Sequence, residues 1–180
     1  MTGDLSLTAR AGLPPALQVL VAELPRLHWP QHPNFHGLAS FWLDRHLDFR
    51  RVTGLLQDEA RARLDGGLDP RAHAARVSRL GGHLIQSLHG HHQIEDHEYF
   101  PVMARMDPRV TAGFDLLEAD HQALDGLLAA FVTAANAVIS GGDGAEAAFE
   151  TEVSRLRGLL IRHLEDEEDL VVPLILRTGM

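Results

Sequence analysis

One pattern occurs twice in this chain, and it restricts the fold more than any other feature. In His89–Pro101, HGHHQIEDHEYFP, His91 and Glu95 stand four residues apart, Asp96 follows, and the stretch closes on Pro101. Near the C-terminus RHLEDEEDLVVP repeats the arrangement with His163, Glu167, Glu168 and Pro173. Residues four apart on an α-helix lie one turn above each other on one face, so each pair aims an imidazole and a carboxylate at one point. Two such faces brought together make a metal site.

The 180-residue chain suits one domain with a buried core. It has no cysteine, which removes disulfides, thiolate nucleophiles and thiolate ligands. Any metal must then sit on nitrogen and oxygen, which suits iron, manganese, zinc, nickel or copper. A net charge of −9 argues against nucleic acid, whose binding needs clustered Lys and Arg. No apolar run approaches membrane-spanning length, and MTGDLSLTAR lacks the apolar core of a signal peptide. The expectation is a soluble cytoplasmic protein with neither a nucleic-acid nor a membrane partner. Twelve histidines are the compositional oddity that needs an account.

Residues 1–12 read as a loose start, and Leu13-Pro14-Pro15 opens a short first helix, since proline is tolerated in a first turn. Pro25, Pro30 and Pro33 then forbid a continuous helix, so His28, His32 and His36 read as surface or loop-packing residues despite their spacing. Apolar residues at helical spacing predict long helices over Gly37–Leu64, Arg71–Tyr99, Asp107–Ile139 and Ala145–Val172. Asp69-Pro70 and Asp107-Pro108 read as helix starts, and Pro101 should kink or end its helix. Gly81, Gly82 and Gly90 each cost about 1 kcal/mol of helix propensity against alanine, which points to close backbone approach or a local distortion. Nothing reads as a strand. The expected fold is all-α: an up-down-up-down antiparallel four-helix bundle over 36–180, preceded by an extension over 1–35 with one short helix.

The bundle repeats internally: each helical hairpin supplies one lone histidine, His46 or His121, and one His-x3-Glu pair, His91/Glu95 or His163/Glu167. Four imidazoles and two carboxylates suit a pair of ions better than one, because the carboxylates can bridge and offset the repulsion between the metals. Open coordination positions would let a small molecule bind or react. His92 with Asp96 is a rival register, about 100° around the helix. Only His91/Glu95 matches the C-terminal copy in its spacing to proline, so His73, His83, His89, His92 and His97 are assigned to the surface or to outer contacts. The acidic run Glu165–Asp169 reads as a solvated face with Glu167 turned inward.

Together these motifs, over roughly Ala39 to Leu176, resemble the haemerythrin-like, or HHE cation-binding, domain. The resemblance implies a four-helix bundle carrying two iron ions with an oxo or hydroxo bridge. It implies that His46 and His91 serve one iron, that His121 and His163 serve the other, and that Glu95 and Glu167 bridge. Oxygen-carrying haemerythrins have a further histidine one turn after the third-helix one, and here that position is Asp125. Either Asp125 is a carboxylate ligand or one iron has a position free. Arg50 is the counterpart of Asp125 in the first hairpin, which predicts that the two pair near the metals. Tyr99 either hydrogen-bonds a bridging carboxylate or packs with its hydroxyl in solvent.

Three functions fit. The first is binding or sensing of a diatomic ligand, a peroxide or a redox signal, with a separate protein partner to pass it on. The second is an enzyme that decomposes peroxide or reduces nitric oxide. The third is iron storage or delivery, or a site for another metal. The absence of an acid/base pair outside the presumed ligands favours the first. The sequence leaves the oligomeric state open.

Overall fold

A computed structural model describes residues 4–180 of the chain. Among these residues the structure is all-helical. After a short 3-10 turn come α1 (Val19–Glu23) and a second 3-10 segment carrying Trp29. Four long helices follow: α2 (Leu38–Leu64), α3 (Pro70–Ile94), α5 (Thr111–Ile139) and α6 (Ala145–Thr178). Between the middle two, α3 runs on through a π-helical segment, Glu95–Tyr99, into the single turn α4 (Phe100–Met103). Each long helix packs against two others, in the ring α2, α3, α5, α6.

Local chemistry explains most of the boundaries. The Asp69 carboxylate accepts the Ala72 N–H, and Pro70 fills the first turn, so α3 starts as the Asp-Pro signal predicts. The second Asp-Pro pair behaves differently. Asp107 accepts from the Arg109 N–H within a turn, and α5 begins only at Thr111. α6 continues through Pro173 to Thr178, beyond the expected end at Val172. All of Leu170–Leu176 is buried, and that packing outweighs the lost hydrogen bond. Gly113 lets α5 and α6 approach closely, because a Cβ there would stand 2.7 Å from the Leu170 side chain and oblige it to shift.

Two apolar clusters lie on either side of a polar band. One holds Phe49, Leu56, Leu84, Leu124, Phe131 and Phe149. The other holds Trp42, Phe100, Met103, Leu117 and Leu170, and the extension adds Leu13, Leu20 and Trp29 to it. Each fully buried Leu or Phe contributes about 1.5–3 kcal/mol. The histidines fall at the crossings: His46 between Trp42 and Phe49, His121 between Leu117 and Leu124.

The expected loose start is not loose over its described part: Leu7 and Arg10 are buried, at 3% and 8% exposure. Its first three residues lie outside the described region. α5 corrects another reading, since it is long and apolar enough by composition to cross a membrane. It instead buries one face in the bundle and carries Asp120 and His121 inward.

Candidate metal centre

The polar band gathers side chains from all four long helices and the π segment. His46, His91, Glu95 and Glu167 form one group, and His92, His121 and His163 form a second; within each group one ligand atom per residue lies within 4.8 Å of the others. His46 Nε2 stands 3.2 Å from His91 Nε2 and 3.2 Å from Glu167 Oε1. Glu95 Oε1 is 2.8 Å from His91 Nε2, while its Oε2 is 3.6 Å from His121 Nε2. Glu167 Oε2 is 3.2 Å from His163 Nε2. Each of the two carboxylates therefore offers one oxygen to either group.

The far nitrogens of three imidazoles are held by carboxylates. His46 Nδ1 donates to Glu168 at 3.0 Å, His121 Nδ1 to Asp96 at 2.7 Å, and His163 Nδ1 to Asp120 at 3.3 Å. A carboxylate accepts, so these contacts put a proton on each Nδ1 and turn each Nε2 toward the centre. Arginines hold two of these carboxylates in turn. Arg50 donates to Glu168 at 2.6 Å, and so does Arg26 at 2.6 Å. Arg10 grips Asp120 with both terminal nitrogens and donates through Nε to Asp166 at 2.9 Å. Trp42 Nε1 donates to Glu167 Oε1, the same inner oxygen that His46 Nε2 approaches.

Burial sets the protonation of the cluster. It pushes His91 and His121 down to about 3 and His92 well below the ordinary imidazole value, which keeps them in the neutral form that ligates a metal. His163 is also desolvated, but Asp120 and Glu167 outweigh that and raise it to about 9. Burial and the neighbouring Glu167 charge raise Glu95 well above the carboxylate range. Burial acts the same way on Glu167, but His46 and His163 prevail and hold it well below that range.

Several atoms of this cluster are buried without a hydrogen-bond partner: both oxygens of Glu95, Glu167 Oε2, both nitrogens of His92, His121 Nε2 and His163 Nε2. An unpaired buried polar group costs about 1–3 kcal/mol, so the Glu95 and Glu167 oxygens and the Nε2 atoms of His121 and His163, which belong to the two groups, call for a partner of opposite character. A cation supplies it. The donor set, imidazole nitrogen and carboxylate oxygen without sulfur, fits the borderline transition metals.

Of the sequence-predicted residues, the structure brings together His46, His91, Glu95, His121, His163 and Glu167. Asp125 is exposed and belongs to neither group. The predicted Arg50–Asp125 pair does not form, because Arg50 is committed to Glu168. Tyr99 packs edge-on against Trp42 with ring centroids 5.1 Å apart, and it is Trp42 that reaches the carboxylate.

His92, expected outside the centre, lies within it, stacked on His121 with centroids 3.9 Å apart. The two registers are both used: adjacent helical residues point about 100° apart, so His91 faces one group and His92 the other. His73 is likewise buried, beside Glu59 at 3.4 Å, and not on the surface. The acidic run is not a solvated face, for Asp166, Glu167 and Glu168 are all buried. Arg10 gave no sequence signal, since nothing in a lone arginine of a loop predicts a partner 110 residues away.

No curated protein and no solved structure matches the chain. The family model of the hemerythrin HHE cation binding domain matches residues 37–175, the span that supplies every member of both groups. The chain therefore belongs to the hemerythrin HHE cation-binding family, and its His/Glu cluster suits the binding of a metal, typically iron.

Proposed function

We propose that the protein binds or senses a small molecule at a carboxylate-bridged pair of iron ions. The carrying observation is the split of each inner carboxylate: Glu95 and Glu167 each turn one oxygen to His46/His91 and the other to His121/His163. His46 and His91 would hold one ion; His92, His121 and His163 would hold the other; Glu95 and Glu167 would span both. His92 then takes the place of the further third-helix histidine, whose position here is Asp125. The bundle that carries them reads as up-down-up-down. This is supported by contacts whose residue numbers fall along one helix as they rise along its neighbour: His91 with His46, His83 with Asp48, Arg76 with Glu59.

The protein's own groups do three things in this scheme. The outer carboxylates fix the imidazole tautomers and orientation. The apolar clusters above and below exclude water, which strengthens every interaction inside the band. The uneven nitrogen count leaves the His46/His91 side with fewer protein ligands, so an incoming molecule enters there. Bound iron would supply an open position and reversible redox chemistry. A separate protein partner would carry a sensing signal onward.

The test is metal analysis of freshly purified protein with its absorption spectrum under oxygen, nitric oxide and reductant. About two iron ions per chain and a near-ultraviolet charge-transfer band that changes reversibly are expected. A colourless zinc protein, or one ion per chain, overturns the reading. Sustained oxygen release from added peroxide would replace binding with catalysis.

A further inference from the structure

A cavity of about 460 Å³ opens between α2 and α3, and its floor is His91 and Glu95. A water or a diatomic molecule occupies about 30 Å³ of liquid volume, whereas sites for small organic molecules span about 300–1,000 Å³. The walls are Phe41, Trp42, Ile94 and Tyr99. Phe41 and Ile94 are large apolar side chains, yet they are 58% and 53% exposed. Arg45 stands at the mouth, over the Phe41 ring with its guanidinium carbon 5.8 Å from the centroid. Among the described residues it enters no ion pair. His91 is also the one member of the two groups that is not fully enclosed, with 12% of its side chain exposed.

Gly90 shows why the space exists. It lies mid-helix, where glycine is costly, and it lines the cavity. No atom stands within 4 Å of a Cβ built there, so close backbone approach does not explain it. Any larger side chain at this position would project into the cavity beside His91.

We infer that this cavity is the binding site of a small organic anion with an apolar or aromatic body, its acidic group at Arg45 and its body against Phe41 and Ile94, next to the metal centre. The occupant's class follows from the lining: apolar walls, one unpaired cation at the rim, and a volume far beyond a diatomic ligand. The inference rests on the proposed metal site only for its floor, and the two can fail separately.

The experiment measures binding of phenylacetate and of neutral 2-phenylethanol to the iron-loaded full chain by calorimetry, with iron content determined on each sample. Phenylacetate should bind about two- to fivefold tighter than the alcohol, the worth of one exposed charge pair, and Arg45→Gln should erase that preference. Gly90→Leu should weaken both ligands by more than about tenfold by filling the site, with iron content unchanged. Phe41→Ala, at an exposed position, should weaken both by a smaller factor and guards against a misfolded Gly90→Leu. Equal binding by the wild type, Gly90→Leu and Phe41→Ala, or no binding by iron-loaded wild type, overturns the inference alone. Preference for the alcohol overturns the ligand class. Wild type that takes up no iron refutes the metal reading, and phenylacetate binding that still responds to Gly90→Leu then upholds the cavity without it.

Discussion

Two relays of the same composition flank the centre, and they differ in how far water reaches them. On one side His46 leans on Glu168, which is held by Arg50 and Arg26, with 24% and 42% of their side chains exposed. On the other side His163 leans on Asp120, which is held by Arg10, with only 3% exposed. The first relay borders the half of the centre that the α2/α3 cavity reaches. The second is closed by the extension, whose backbone is itself tied down where Arg162 donates to the Arg10 carbonyl at 2.9 Å. The lesson is one of dielectric: the same triad of imidazole, carboxylate and guanidinium is replaceable where water can substitute and irreplaceable where it cannot.

The comparison can be broken at its hinge. Glu167 touches both sides, so Glu167→Ala should abolish iron binding altogether, read as loss of iron and of the charge-transfer band; retention of a full complement would mean the sides are independent. His92→Phe keeps a ring to stack on His121 but removes a nitrogen from the closed side only. It should fold normally and lower affinity for one ion of the pair by at least about 10–100-fold, seen as a two-phase iron titration. A single-phase titration like that of wild type would return His92 to a packing role.

Arg10→Met should destabilise the protein by about 3–5 kcal/mol, because Asp120 and Asp166 both lose the buried guanidinium that donates to them. Denaturant melts measure this, and Arg10→Lys should recover part of it. Arg50→Met should cost about 1 kcal/mol or less, because that arginine is partly solvated and Arg26 still holds Glu168. A cost for Arg50→Met equal to that for Arg10→Met would erase the distinction between the relays.

The long helices and six of the centre's residues were legible because spacing of four on a helix has a single geometric meaning. His92 is not legible, because the C-terminal copy matches one register only, whereas two neighbouring ions can use both. Glu168 and Asp166 read as solvated from the sequence because a run of consecutive acids on a helix implies a wet face. Its C-terminal half is enclosed by α2, α5 and the N-terminal segment, and a helix buried all round has no apolar period to detect. The extension's contribution was illegible because it is made by a loop, where no periodicity ties a residue to its target. Phe41 and Ile94 fit the helical pattern and still face outward, since the pattern marks a stripe without saying where it widens into a cavity.

The π turn at Glu95–Tyr99 carries the remaining consequence. Such a turn holds one residue more than an α turn, so everything beyond it is swung by about 100° relative to a regular helix. In this chain it lets Glu95 join the polar band while Phe100 and Met103 still reach the apolar layer above. Frame and chemistry are thus geared to each other through a single surplus residue. Shortening that turn by one position would leave composition almost untouched and yet misalign either the carboxylate or the roof over it.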